Sequence, residues 1–268
     1  MTAVQSTSPG REATERAGGP APAPTVPMTR LTLIELRKLA DTRSGFWLLV
    51  VIGLAAAGTA AIMLAAAPAE EQTFQGLLAF GLVPSAILLP VLGILSMTSE
   101  WTQRTALTTF TLVPARGRVI AAKLLAGVLI AVMATLAAAA LSAIANLIAI
   151  GIGGDGSWDI TADQAGRLLL NQVIFLLMGS GFGALLMNTP LAIVLYFALP
   201  TVWSILAEVV KPIATAARWA DINVTSVPLN EAAAMTGGEW ARLATAVAIW
   251  VALPLILGTL RVLRREVS

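Results

Sequence analysis

The chain has 268 residues, of which 57% are hydrophobic and 12% charged, and its formal net charge is +2. A soluble globular domain carries about twice that charged fraction, and so small a net charge implies no nucleic-acid partner. There is no Cys and no His, which excludes disulfides, thiol nucleophiles, and His ligands and bases, and with them an intramembrane zinc protease or a haem-binding span.

From Met1 to about Met28 the chain is rich in Ala, Pro, Gly, Ser and Thr. Such a segment cannot bury enough apolar surface to offset its ordering entropy, so residues 1–28 are expected to be a disordered tail. The segment lacks the apolar core of a secretory signal. Residues 29–268 are then one membrane domain.

Thr29 to about Arg43 reads as an amphipathic helix lying in the headgroup layer. Leu33, Leu36, Leu39 and Ala40 fall on one face, with Arg30, Arg37 and Asp41 opposite. Thr32 and Glu35 have the spacing of a capping box.

Apolar stretches long enough to cross a bilayer follow. They lie at about Phe46–Ala67, Leu77–Met97, Val119–Ile152, Leu168–Met187, Leu191–Val210 and Ala241–Leu260. Pro84 and Pro90 are expected to kink the second. The third is longer than a bilayer needs, so its first turns should stand in the headgroup region. Asn188-Thr189-Pro190 is a tight turn. Lys211–Trp240 is too apolar for a free loop, and a pair of short helices at or in the outer leaflet would fit it. The fold class is therefore all-α: a polytopic membrane protein with about six spans and an N-terminal interfacial helix.

The basic residues orient it. With the N-terminus in the cytosol, most Arg and Lys fall inside. Arg167, Lys211, Arg218 and Arg242 fall outside together with most acids, including Glu70, Glu71, Asp155, Asp159, Glu208 and Glu239. Both termini are then cytosolic, in a cell membrane.

Gly179, Gly181 and Gly183 in the fourth span favour close helix packing rather than nucleotide binding, because no strand precedes them. Asn146, Asn171 and Gln172 are expected to hydrogen-bond neighbouring helices, with a substrate path as the alternative. Pro200 and Pro254 read as kinks.

The most specific segment is the loop after the second span, SEWTQRTALTTFTLVPARGRVIAAKLLAG. Ser99–Phe110 can form a short helix, Pro114 stops it, and Arg116, Arg118 and Lys123 return positive charge to the membrane surface, with Gly117 allowing a turn. The run Glu100, Arg104, Thr105, Pro114, Arg116, Arg118 and Lys123 resembles the first cytoplasmic loop of the ABC type-2 permease family. The N-terminal ELRKL segment, containing Glu35, Arg37 and Lys38, and the overall topology resemble the same family. The resemblance implies a permease subunit, more often an exporter, that pairs with a second permease copy in a homodimer or heterodimer and is driven by a cytosolic ABC ATPase subunit. It implies that the loop and the N-terminal helix meet the ATPase.

The residues also bear on this directly. The only lysines are Lys38, Lys123 and Lys211, and none sits in a phosphate-binding loop of the G-x-x-x-x-G-K-[ST] type. ATP chemistry is thus expected in the partner and not in this chain, which should need no cofactor of its own. The rivals are a non-transporting membrane protein, such as a sensor or assembly factor, and a secondary carrier. No buried chain of acids suggests a proton relay.

Overall fold

A computed structural model describes residues 26–103 and 115–264. The expected tail up to residue 25, and Arg104, Thr105 and Pro114 of the loop, lie outside the described residues. The chain is helical, with no strand among the described residues. The α-helices among the described residues are α1 (Met28–Asp41), α2 (Arg43–Ala66), α3 (Phe74–Gly81), α4 (Val83–Thr102), α5 (Arg116–Ile152), α6 (Ala162–Leu186), α7 (Thr189–Val209), α8 (Ala214–Ala220), α9 (Ile222–Thr225), α10 (Gly237–Val247) and α11 (Leu253–Arg264). Among the described residues six helical segments are long and apolar enough to cross a membrane: α2, α3 with α4, α5, α6, α7, and α10 continuing into α11. The protein is a polytopic helical membrane protein.

The second span breaks at Leu82, where Pro84 stands in the first turn of α4. Proline has no N–H to give the carbonyl four residues back. Gln172 of α6 donates to the Leu82 carbonyl at the break (3.0 Å), so a polar side chain inside the bundle stabilises the discontinuity. In the sixth span a π-helical turn, Ala248–Ala252, immediately precedes Pro254, a usual way to absorb a missing donor. The 37 residues of α5 make a rod of about 55 Å, well beyond a hydrocarbon core of about 30 Å.

α6 is the central helix, packed on α4 and α11. A Cβ on Gly179 would meet the Pro90 carbonyl oxygen at 2.3 Å, and one on Gly93 would meet the Leu176 carbonyl oxygen at 2.6 Å. Glycine is therefore required on both sides of the α4–α6 contact, and the GSGFG run serves helix packing as its position suggests. Much of the outward surface of α2, α5 and α7 is large and apolar, with Leu54, Leu136 and Val209 among the most exposed residues, as lipid-facing helices require.

The even number of spans returns the chain to the end of the bundle where it began. Arg116 at the start of α5 donates to the Val262 carbonyl of α11 (3.2 Å), and Arg261 to the Leu185 carbonyl of α6 (2.6 Å). Arg30, Arg37, Lys38, Arg43, Arg116, Arg118, Lys123, Arg261 and Arg264 share this basic end. At the opposite end the α2–α3 connection docks on the α5–α6 connection, through Phe74 N to the Ser157 carbonyl (2.9 Å), Asp155 N to the Ala69 carbonyl (3.0 Å) and Phe74 stacked on Trp158. Asn146 donates to the Gly156 carbonyl there (2.9 Å).

Three local readings are corrected. Thr32 and Glu35 form no capping box. The helix starts at Met28, next to the expected Thr29, so Thr32 lies inside it and its hydroxyl donates back to the Met28 carbonyl (3.0 Å). Its inward face is Leu31, Thr32, Glu35 and Leu39, while Leu33 and Ala40 are exposed. Gly117 lies in the first turn of α5 instead of making a turn between the arginines. Ser99–Thr102 continues the second span, and residues 104–110 of the helix expected over Ser99–Phe110 lie outside the described residues.

Candidate functional site: a buried charge cluster at the basic end

Glu35 and Lys38 stand one helical turn apart on α1, which places them on one side. Glu100 lies in the last turn of α4, and Lys123 two turns into α5. The fold brings all of them together. Lys123 Nζ is 2.8 Å from Glu35 Oε2, 2.8 Å from Glu100 Oε1 and 3.0 Å from the Ser96 carbonyl oxygen. Lys38 Nζ is 2.7 Å from Glu35 Oε1 and 3.5 Å from Glu100 Oε1. The arrangement alternates in sign and sums to zero charge.

Lys123, Glu100 and Glu35 are only 4%, 5% and 5% exposed, so they are effectively removed from water. Burial by itself would push the Glu35 carboxyl up, but Lys123, together with Lys38, outweighs it and holds the group below the usual carboxylate range. Burial likewise opposes the charge on Lys38, and Glu35 and Glu100 outweigh it to raise that ammonium above its ordinary value. Both shifts favour the charged forms, as close opposite charges do.

The cluster joins three separate elements. α1 is otherwise held by Leu39, which packs with Leu36 against Ile52, Leu89 and Leu92. Arg118 adds a hydrogen bond to the Val26 carbonyl before α1. Beside the cluster lies a cavity of about 460 Å³ bounded by Lys38, Ser96, Glu100, Gln103, Lys123 and Thr189, among others. Thr98 and Thr102 both reach the Thr189 hydroxyl at the start of α7 (2.7 and 3.3 Å). The end of the second span is thereby tied to α1, α5 and α7 at once.

Of the residues singled out in the sequence, Glu35, Lys38, Glu100 and Lys123 come together. Arg116 and Arg118 tie α5 to α11 and to the segment before α1. Arg37 is exposed on α1. Lys123 was expected at the membrane surface; it is buried because two carboxylates on neighbouring helices face it. That pairing is not visible in local sequence, although a Lys inside an apolar run does signal a buried partner.

Arg167 shows the same kind of departure. Read as an outward topology charge, it is 3% exposed. Its guanidinium donates to the carbonyls of Pro228 (2.7 Å) and Glu231 (3.0 Å) and pairs with Asp163 (2.9 Å). It fixes the stretch between α9 and α10 to the bundle, helped by Asn171 Nδ2 to Asn230 Oδ1 (3.3 Å).

No protein-family model matches the sequence, and no curated protein matches it either.

Proposed function

We propose that this protein is the permease subunit of an ABC transporter of the type-2 class, working as a pair and driven by a separate cytosolic ATPase. The observation that carries this reading is the Glu35–Lys38–Glu100–Lys123 cluster. The segments whose sequences resemble the ATPase-facing parts of that family, the ELRKL helix and the residues flanking the loop, are locked into one unit at the basic end. Because basic residues are retained on the cytosolic side, that end faces the cytosol in this reading.

The mechanism follows from the packing. A displacement applied to α1, or to the segment between α4 and α5, passes through buried charge-assisted bonds into the second and third spans together. Those spans are rigid rods, and the packed α4–α6 contact carries the displacement to the centre of the bundle. ATP closure of a partner can in this way change which side of the membrane a path between two copies opens to. Export is the direction this reading favours.

The test is ATP hydrolysis by the permease–ATPase complex reconstituted in liposomes. Replacing Glu35 and Glu100 with Gln together with Lys123→Met, so that no buried charge is stranded, should leave the complex assembled while lowering its transport-linked hydrolysis at least tenfold. Full transport by that triple variant would remove the cluster from the mechanism.

A further inference from the structure

At the end of the bundle opposite the charge cluster there is a cavity of about 530 Å³ between α7, α8, α9 and the start of α10. Its size is that of a small-molecule site. Glu208, Arg218, Glu239 and Arg242 line it, two acids and two bases. None is paired with another in an ion pair. Among the described residues Arg218 bonds only its own helix, at the Ala214 carbonyl (3.2 Å). Arg242 stands 6.0 Å from the Trp219 ring centre. Charges of both signs thus border one hollow without neutralising each other by contact.

Its floor is fixed. Asp221, 2% exposed, accepts from the Ser204 hydroxyl (3.0 Å) and from the backbone N–H groups of Asn223 (3.0 Å) and Val224 (3.3 Å). Asn223 Nδ2 in turn donates to Ser204 Oγ (3.1 Å). Arg167 holds the adjoining stretch through Pro228.

A second cavity lies next to it. Thr201 and Asn223 also border this cavity of about 230 Å³, whose walls include Phe175, Met178, Tyr196, Phe197 and Pro200. A charged chamber therefore adjoins an apolar, aromatic one lying deeper along α7, with Thr201 and Asn223 shared between them. The charged chamber sits at the end of the fifth span, where exposed Trp219 and Trp240 mark the depth of a headgroup layer.

We infer that the two chambers form a binding site for a zwitterionic amphiphile, its anionic group on Arg218 and Arg242, its ammonium on Glu208, with Glu239, whose carboxylate accepts from Thr236 to cap α10, beside it, and its apolar chain in the aromatic cleft. Two charges of each sign suit a ligand that carries both, and guanidinium groups suit a phosphate in particular. A zwitterionic phospholipid of the surrounding bilayer has this chemistry at this depth. The site does not rest on the transport reading, since it needs neither an ATPase nor a second copy.

The experiment is native mass spectrometry of the purified protein in detergent, titrated with short-chain probes. The probes are dihexanoyl phosphatidylethanolamine, the anionic dihexanoyl phosphatidylglycerol, uncharged dihexanoylglycerol, and the free head glycerophosphoethanolamine. The ethanolamine lipid should bind at least tenfold more tightly than each of the others, a difference that one charge-assisted contact supplies. Glu208→Gln should erase its advantage over the glycerol lipid, and Arg218→Gln with Arg242→Gln should weaken both lipids by about tenfold or more. Equal binding of the two lipids to the unaltered protein would overturn the inference without requiring any variant to fold. Equal binding of the free head would overturn the role of the aromatic cleft. Loss of ATPase coupling would leave these results untouched.

Discussion

Replacing Lys123 with Met removes the centre of the charge cluster while keeping its length and apolar stem. The substitution deletes one ammonium in contact with two carboxylates at 2.8 Å and a carbonyl at 3.0 Å. Glu35 and Glu100 would then be left buried with only Lys38 nearby. Breaking a buried pair by removing one partner costs about 3–5 kcal/mol, because a charge is left unpaired in a poorly solvated place. Lys38 keeps its 2.7 Å contact to Glu35, which sets the expected loss at about 3 kcal/mol, near the lower bound. For a protein of this size that is a fall of about 6–12 °C in Tm, measurable by thermal unfolding in detergent. Adding Glu35→Gln and Glu100→Gln to the Met variant removes the stranded charges and should recover at least half of the loss. A Met variant within about 0.5 kcal/mol of the parent protein, the range of ordinary surface changes, would refute the buried-cluster reasoning. So would a triple variant no more stable than the single one.

Other outcomes follow from the same packing and electrostatics. Gly179→Ala places a methyl against the Pro90 carbonyl and should cost about 1–3 kcal/mol, whereas Gly53→Ala, with nothing within 4 Å, should be neutral or stabilising; thermal unfolding of the pair checks both. Arg167→Met should raise amide hydrogen exchange over residues 227–236, leaving α5 protected, and unchanged exchange there would deny the clamp. The Glu35 carboxyl is held below its ordinary value, so its contribution is complete above about pH 4.3 and is lost as pH falls through the lower folded value. Lys38 is raised, so its contribution is complete below about pH 10.4 and is lost only above that. Unfolding temperature should accordingly stay flat between pH 6 and 9 as far as these groups govern it, and the Glu35→Gln variant should lose part of the acid-side fall. Since the chain has no Cys, single cysteines report sidedness cleanly: Asp41→Cys should be labelled only from the cytosol and Asp159→Cys only from outside.

The spans were legible because about 20 apolar residues in succession have few other uses, and most of their ends fall within a few residues of the helices found, the helix of the fourth span starting further upstream, at Ala162 rather than Leu168. The site was legible only in part. Glu35, Lys38, Glu100 and Lys123 were each marked, but Glu35 as a capping-box partner, Lys38 and Glu100 as members of segments resembling ATPase-facing ones, and Lys123 as a charge at the membrane surface. What converts them into a buried cluster is the crossing of α1 over the ends of α4 and α5, a tertiary contact with no local signature. Arg167 misled for the same reason: an Arg near a span end ordinarily sets topology, and only the return of residues 228–232 over it makes it a clamp. The capping box was misread because Thr32 and Glu35 satisfy its spacing while each has a stronger use, Thr32 within the helix and Glu35 on Lys123. The opposite-end cavity had no single motif at all, being assembled from α7, the short helices and α10.

The central claim is that this chain is half of a paired membrane unit that depends on a separate ATPase. Its most direct test is mass measurement of the complex purified through this chain from its own membrane, with photolabelling by an azido-ATP analogue. The account predicts a particle of two permease chains and two nucleotide-binding chains, in which only the nucleotide-binding chains carry the label. A lone chain of 268 residues that moves a solute across liposomes with no ATPase present would contradict it.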